Sequence, residues 1–223
     1  HTRDKNADII YVSPSHMTRW GDVMSNKRRL ELVEYSFNNN STVIEDDYEN
    51  DFLYNVKPTP ALFTLGHGNV IYIGSFSAML LPGIRISFMV LNDKLTKLYN
   101  QNKYKFAQTA SKTEQIALCQ YIRDGHINSQ TRKIRRLYSN KTKDFYSILK
   151  KEFPNAQISI SENTLQIIMS VKFDKDIEVF EKNSISLFVE KYENGLITIV
   201  LSPSGIPSSK LLEGAKTLRK TIE

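Results

Sequence analysis

Residues 70–91 read VIYIGSFSAMLLPGIRISFMVL, two compact apolar runs joined by a turn that holds two serines and a Pro-Gly pair. The first run reads as a strand, in which Gly74 permits a tight turn, and the second as another strand carrying Arg85 near its start. Ser75 and Ser77 offer hydroxyls between them. Two hydroxyls and a guanidinium suit an anion such as a phosphate, because arginine gives charge-assisted and often bidentate hydrogen bonds. Ala78, at the centre of the turn, can do no chemistry.

Working outward, DIIYV (8–12) and TVIE (42–45) have the same nearly continuous apolar character, which suits strands buried on both faces of a parallel sheet. Between them Leu30, Val33 and Phe37 recur at helical spacing, so a helix can cross from one strand to the next. This is α/β patterning. The link NVKPTPALFTLGHG (55–68) is turn-rich and shows no clear helix, which marks it as a function-bearing loop.

The middle is helical. SKTEQIALCQYIRDG (111–125) opens with Ser111 and Glu114 at capping-box spacing and closes on Gly125. A longer helix follows, with Ile134, Leu137, Tyr138, Phe145, Ile148 and Leu149 on one stripe and Pro154 just past its end. Then AQISISEN, TLQIIMSV, SISLFV and LITIVLS read as strands around the helical DKDIEVFEKN. The chain closes on a helix with Leu211, Ala215, Leu218 and Ile222 on one face. Residues 1–128 are therefore expected to form part of a large α/β domain with a mostly parallel sheet. Residues 129–223 are expected to form an interdomain helix and a small α+β domain.

With 223 residues the chain can build a sizeable core. Its 30 Lys and Arg exceed 24 Asp and Glu, and much of the surplus lies in TRKIRRLYSNKTK (131–143), which reads as a solvated or interdomain helix face rather than a nucleic-acid stripe. The single cysteine, Cys119, excludes an internal disulfide framework and is expected in the core. No apolar run approaches the roughly 18 to 20 residues that span a bilayer, so no membrane partner and a cytoplasmic location are expected. No metal-ligand set is read. The start, a His with a short polar lead, suggests a fragment of something longer.

Three elements could converge at the C-terminal edge of the sheet, where parallel α/β folds place ligands. They are EDDY (45–48), which places Asp46, Asp47 and Tyr48 at a strand end, then Ser75 and Ser77, then Arg85. An Asp facing a heteroaromatic nitrogen keeps it protonated and a phenol can bond a ring oxygen, so the set describes a pyridoxal phosphate pocket. Taken singly, an acidic strand end is also a common turn or cap, and SFS a common loop. Spacing leaves both readings open.

The blocks at 9–35, 43–52, 70–90 and 115–138, among them IIYVSPSHMTRWGDV, VIEDDYENDF and VIYIGSFSAMLLPGIRISFMV, resemble consecutive motifs of the MocR/GabR family of bacterial transcription regulators, within the GntR superfamily. In that family a winged helix-turn-helix domain precedes a domain resembling fold type I aminotransferases. The resemblance implies that Asp46 pairs with the pyridine nitrogen, that Tyr48 bonds the ring oxygen with Ser13 as a further polar partner, and that Ser75, Ser77 and Arg85 hold the phosphate. Ala78 stands at the Schiff-base lysine of a motif that otherwise reads SFSK. Without that amine no covalent anchor and no usual proton-transfer base exist.

The resemblance further implies an effector-sensing and dimerisation domain, with pyridoxal phosphate held noncovalently or lost, and no catalysis. The partners implied are a second copy, a small-molecule effector, and DNA through a winged helix-turn-helix domain missing from this chain. An aminotransferase whose lysine was replaced is the alternative, and a purely structural dimerisation domain a third. Two departures from the family pattern remain. Thr198, in GLITIVLSPSG, stands where carboxylate-recognising members carry an Arg, and Ser129 and Gln130 replace the usual Arg and His in the basic segment.

Overall fold

A computed structural model of the chain describes residues 7–18, 22–47, 59–66, 69–77, 80, 83–107, 110–161 and 164–223. The chain divides into two compact units, His1–Arg132 and Lys133–Glu223.

In the first unit the order is β1 (Ile9–Val12), α1 (Asn26–Asn38), β2 (Thr42–Asp46), a single helical turn α2 (Leu62–Leu65), β3 (Val70–Ser75), β4 (Ser87–Val90), α3 (Asp93–Asn102) and α4 (Lys112–Arg123). The sheet order is β1-β2-β3-β4. β1, β2 and β3 run parallel, and β4 returns antiparallel against β3 with Ser75 opposite Ser87. The sheet is thus mostly parallel, as expected, with β4 as its one antiparallel strand among the described residues. Val33, Val43, Leu62 and Val70 form a small core beneath one face.

Four sequence expectations shift here. Ser25 caps α1, which the motifs read from the sequence do not single out; the helix buries Arg29, Val33 and Ser36 and leaves Leu30 and Phe37 more than half exposed. The helix is rotated from the apolar stripe because Arg29 has buried acceptors to reach. Cys119 is exposed; in α4 only its neighbour Leu118 is buried. Gly74 lies inside β3 and makes no turn: an added Cβ would stand 2.4 Å from the Phe88 ring, so the glycine makes room for an aromatic from the paired strand. The loop at 55–68 carries the short α2, part of it lying outside the described residues.

α5 (His126–Glu152) follows Gly125, whose φ of 75° is the left-handed conformation that ends α4. The division between the units falls inside it. In the second unit β5 (Gln157–Ile160), β6 (Ile167–Lys172), β7 (Phe188–Glu193) and β8 (Leu196–Leu201) form an antiparallel sheet ordered β5-β6-β8-β7. α6 (Glu178–Lys182) and α7 (Leu211–Ile222) complete it. α7 buries Leu211, Ala215, Leu218 and Ile222 as its periodicity predicts. They join Phe145, Leu149, Ile167, Met169, Ile197 and Ile199 in one core. On α5 the stripe differs from expectation: Leu137 is exposed, and Thr142 is buried with its hydroxyl donating to the Leu165 carbonyl at 3.2 Å.

Candidate functional site

Strand register decides which side chains can share a ligand. In β1–β2 pairing Tyr11 lies opposite Ile44, and in β2–β3 pairing Asp46 lies opposite Ile73. Side chains alternate along a strand and paired residues share a face. Tyr11, Ile44, Asp46, Ile73 and Ser75 therefore project from one face, and Val43, Glu45, Tyr72 and Gly74 from the other. On the first face the Tyr11 phenol donates a hydrogen bond to the Asp46 carboxylate. Asp46 is half-buried, at the C-terminal end of β2.

Ser75 ends β3, two residues beyond the partner of Asp46. Strand geometry puts their Cα atoms roughly 8 Å apart, from a spacing of about 4.8 Å between strands and a rise of about 3.3 Å per residue. The turn that follows is tied to β4: the Phe76 amide donates to the Ile86 carbonyl at 3.0 Å, and the Ser77 hydroxyl to the Ile84 carbonyl at 2.7 Å. The Ser75 hydroxyl accepts from the Ser77 amide at 3.2 Å. Ser75 thus keeps its own O–H for another acceptor, whereas Ser77 has committed its proton. Arg85 lies exposed between Ile84 and Ile86 and so flanks the same turn. Ser13 is half-buried just past β1, where its carbonyl accepts from the His16 amide at 3.0 Å. Ser13, Asp46 and Ser75 accordingly mark the C-terminal edge of three neighbouring parallel strands. Tyr48 and Ala78 lie outside the described residues.

The opposite face carries a buried network that the sequence reading did not find. Arg29 and Glu45 are each 1% exposed at the side chain, with 3.8 Å between Nη1 and Oε1. Too far apart to hydrogen-bond each other, both spend their groups on backbone. Arg29 Nε donates to the Met24 carbonyl and Nη1 to the Pro60 carbonyl, each at 3.1 Å. Glu45 accepts from the Leu62 and Phe63 amides at 2.9 and 3.0 Å, holding the start of α2. Burial pushes the Glu45 carboxyl above its ordinary value; the two amides pull it back, Asp47 adds to the rise and Arg29 opposes it. Burial likewise lowers the Arg29 guanidinium, against the pull of Glu45 and Asp47.

Asp47, adjacent to Asp46, belongs to this second face. Its Oδ2 accepts from the Tyr72 phenol at 3.0 Å, while its Oδ1 and Arg29 Nη2 are buried without a hydrogen-bond partner among the described residues. Of the three acids in EDDY, then, Asp46 alone is placed on the half-open face. The signal that could have separated them is the two-residue period: Val43 and Glu45 alternate with Ile44 and Asp46. The same period, applied to β1, would have picked out Tyr11.

In the second unit Thr198 is half-buried on β8, its hydroxyl 2.8 Å from that of Ser170 on β6. Among the described residues no group of three or more His, Cys, Asp or Glu side chains is placed to hold a metal ion, and no helix is long and apolar enough to cross a membrane.

No protein-family model matches the chain. Among curated proteins it is 30% identical over 227 residues to YdeL, a helix-turn-helix transcriptional regulator of Bacillus subtilis, covering 97% of this chain and 49% of YdeL. It is 27% identical to the probable rhizopine catabolism regulatory protein MocR of Rhizobium meliloti, covering 96% of this chain and 45% of that protein. With the pyridoxine biosynthesis transcriptional regulator PdxR of Corynebacterium glutamicum it shares 26%, over 79% of this chain and 38% of that one. The chain spans about half or less of the length of these relatives. Among solved structures, the multiple substrate aminotransferase of Thermococcus profundus aligns with a TM-score of 0.75 at 22% identity, over 99% of this chain and 57% of the enzyme. The kynurenine aminotransferase of Pyrococcus horikoshii aligns with a TM-score of 0.74 at 22% identity, over 99% and 57%. The fold is that of the fold type I aminotransferases.

Proposed function

This chain is homologous to the MocR-type helix-turn-helix regulators over nearly all of its length, and from that premise we propose that it is the effector-sensing and dimerisation domain of such a regulator, with pyridoxal phosphate as ligand. The observation that carries the reading is the shared sheet face of Asp46 and Ser75 at the C-terminal edge of the parallel strands. The donor set there fits the cofactor: a carboxylate for a protonated ring nitrogen, and serine hydroxyls with Arg85 for a phosphate. The name of the relative PdxR, a regulator of pyridoxine biosynthesis, points to the same chemistry.

When bound, pyridoxal phosphate supplies an aldehyde that reacts with amines and a ring that withdraws electrons. Asp46 would bind the ring nitrogen and hold its proton, and the resemblance assigns Tyr48 and Ser13 to the ring oxygen. Ser75 would donate to the phosphate directly. Ser77 would first have to turn its hydroxyl away from the Ile84 carbonyl. Ala78 offers neither an amine to hold the aldehyde nor a base to move a proton, so the pocket binds without turnover. Ligand binding would shift the population of conformers and so bias two DNA-binding domains of a cytoplasmic homodimer.

The fold shared with aminotransferases favours one second reading, an aminotransferase whose lysine was replaced. The natural residue at position 78 and the presence of an upstream DNA-binding domain decide between them. The test is titration of pyridoxal phosphate into the whole protein, native and Ala78→Lys, reading visible absorbance and cofactor retention after desalting. The expected result is reversible binding by the native protein and retention by the lysine variant. Retention by neither rejects the cofactor reading.

A further inference from the structure

We propose that Tyr11 is the positioning residue for Asp46: its phenol fixes the carboxylate in the orientation that receives the ring nitrogen of the ligand. The inference deepens the pyridoxal phosphate reading and rests on it.

Neither the motifs nor the family resemblance single out Tyr11; its place in the sheet does. Tyr11 sits opposite Ile44 on the neighbouring strand, two residues short of Asp46, so the two side chains are diagonal neighbours on one face, where only a long side chain can bridge. The Tyr11 phenol bridges to the carboxylate. Hydrogen-bond chemistry fixes the direction, since an ionised carboxylate only accepts and the phenol must donate. One oxygen, Oδ2, is occupied by the phenol. The carboxylate is thereby held against rotation, with its other oxygen left for a second donor.

A protonated ring nitrogen is such a donor. Serving it from a preoriented oxygen avoids the cost of fixing the side chain at the moment of binding. The arrangement is the counterpart of Tyr72 and Asp47 on the other face, where a phenol likewise holds a carboxylate oxygen, but there the carboxylate is sealed off, only 5% exposed. Tyr11 itself is 62% exposed. Its ring therefore contributes little to the core. Phenol donation also spreads the carboxylate's charge, so Tyr11 sets how strongly Asp46 retains the ring proton.

The experiment measures the pyridoxal phosphate dissociation constant of the whole protein by visible absorbance and fluorescence, for native, Tyr11→Phe, Asp46→Asn and the double variant. The pH titration of the bound ligand's spectrum is recorded alongside. Tyr11→Phe removes only a hydroxyl from an exposed ring, so folding is preserved, and a melting curve checks it. The expected result is roughly fivefold to tenfold weaker binding for Tyr11→Phe, in line with loss of one charge-assisted hydrogen bond at a partly exposed site. The midpoint of the spectral titration should shift with it. In the Asp46→Asn background, removal of the Tyr11 hydroxyl should change binding less than twofold, because there is no longer a charged carboxylate to hold.

A hydroxyl with a merely structural role would cost the same in both backgrounds and leave the spectral titration unmoved; that outcome overturns the proposal. So does native-like affinity in Tyr11→Phe when Asp46→Asn binds weakly, which leaves the cofactor reading standing. If native protein and all variants fail to bind, the cofactor reading and the role of Tyr11 fall together.

Discussion

Replacing Arg29 by Met should be far more costly than replacing Glu45 by Gln, and the second change should partly rescue the first. Arg29→Met removes the donors to the Met24 and Pro60 carbonyls and strands a carboxylate whose side chain is 1% exposed. Breaking one side of a buried pair costs about 3–5 kcal/mol. Glu45→Gln keeps one carbonyl oxygen for an amide of α2 and loses the other acceptor, a cost of about 1–3 kcal/mol. Against that loss stands a gain, because burial already pushes the Glu45 carboxyl toward its neutral form. In the double variant the Glu45 carboxylate is gone, with Asp47 still in place beside it, so about 1–3 kcal/mol of the Arg29→Met loss should return. The assay is hydrogen exchange of the β2 and α2 amides in the whole protein as a function of urea. At about 1.4 kcal/mol per factor of ten, Arg29→Met should speed exchange by about a hundredfold to several thousandfold. A double variant that loses as much as the two single changes added together would refute the reasoning, and Arg29 would be mainly a packing residue.

Three further outcomes follow from the same geometry. A folded-state carboxyl raised above its unfolded value contributes stability that is present below the unfolded value and lost as pH rises through the folded one. For Glu45, native stability relative to Glu45→Gln should therefore fall from the ordinary carboxylate range upward, and a flat difference in paired denaturation curves would contradict the burial argument. Gly74→Ala places a Cβ where the Phe88 ring stands, at 2.4 Å, and should destabilise by about 1–3 kcal/mol in urea melts, with Phe88→Leu restoring much of the loss. Ser75→Ala should weaken pyridoxal phosphate binding more than Ser77→Ala does, because only Ser77 has its proton committed within the turn; equal losses by titration would show that the turn reorganises on binding.

What the sequence made legible was what depends on local pattern. The capping serine at 111, the glycine after α4, most of the apolar strands and the face of α7 are set by side-chain chemistry within a few residues and stand in the structure where that chemistry puts them, although the run SISLFV enters its strand only at Phe188. What it hid depends on pairing across the sheet. α1 turns its arginine inward rather than Leu30 and Phe37 because the acceptors that satisfy Arg29 come from Met24 and from Pro60, 31 residues away. Gly74 reads as a turn until the Phe88 ring from β4 is laid against it. EDDY reads as a cluster of equivalent acids until strand register sends Glu45 and Asp47 to one face and Asp46 to the other.

That division gives β2 two tasks. On one face Glu45 locks the strand to α2 and, with Arg29, to the loop that precedes it; on the other, the same rigid backbone presents Asp46 to Tyr11 and the half-open face. The buried pair need not be worth much stability to be kept. A carboxylate proposed to meet a ring nitrogen needs a strand that does not slide, and the Glu45 side chain on the Leu62 and Phe63 amides and the Asp47 amide on the Ile73 carbonyl supply that constraint without occupying the face on which Asp46 stands.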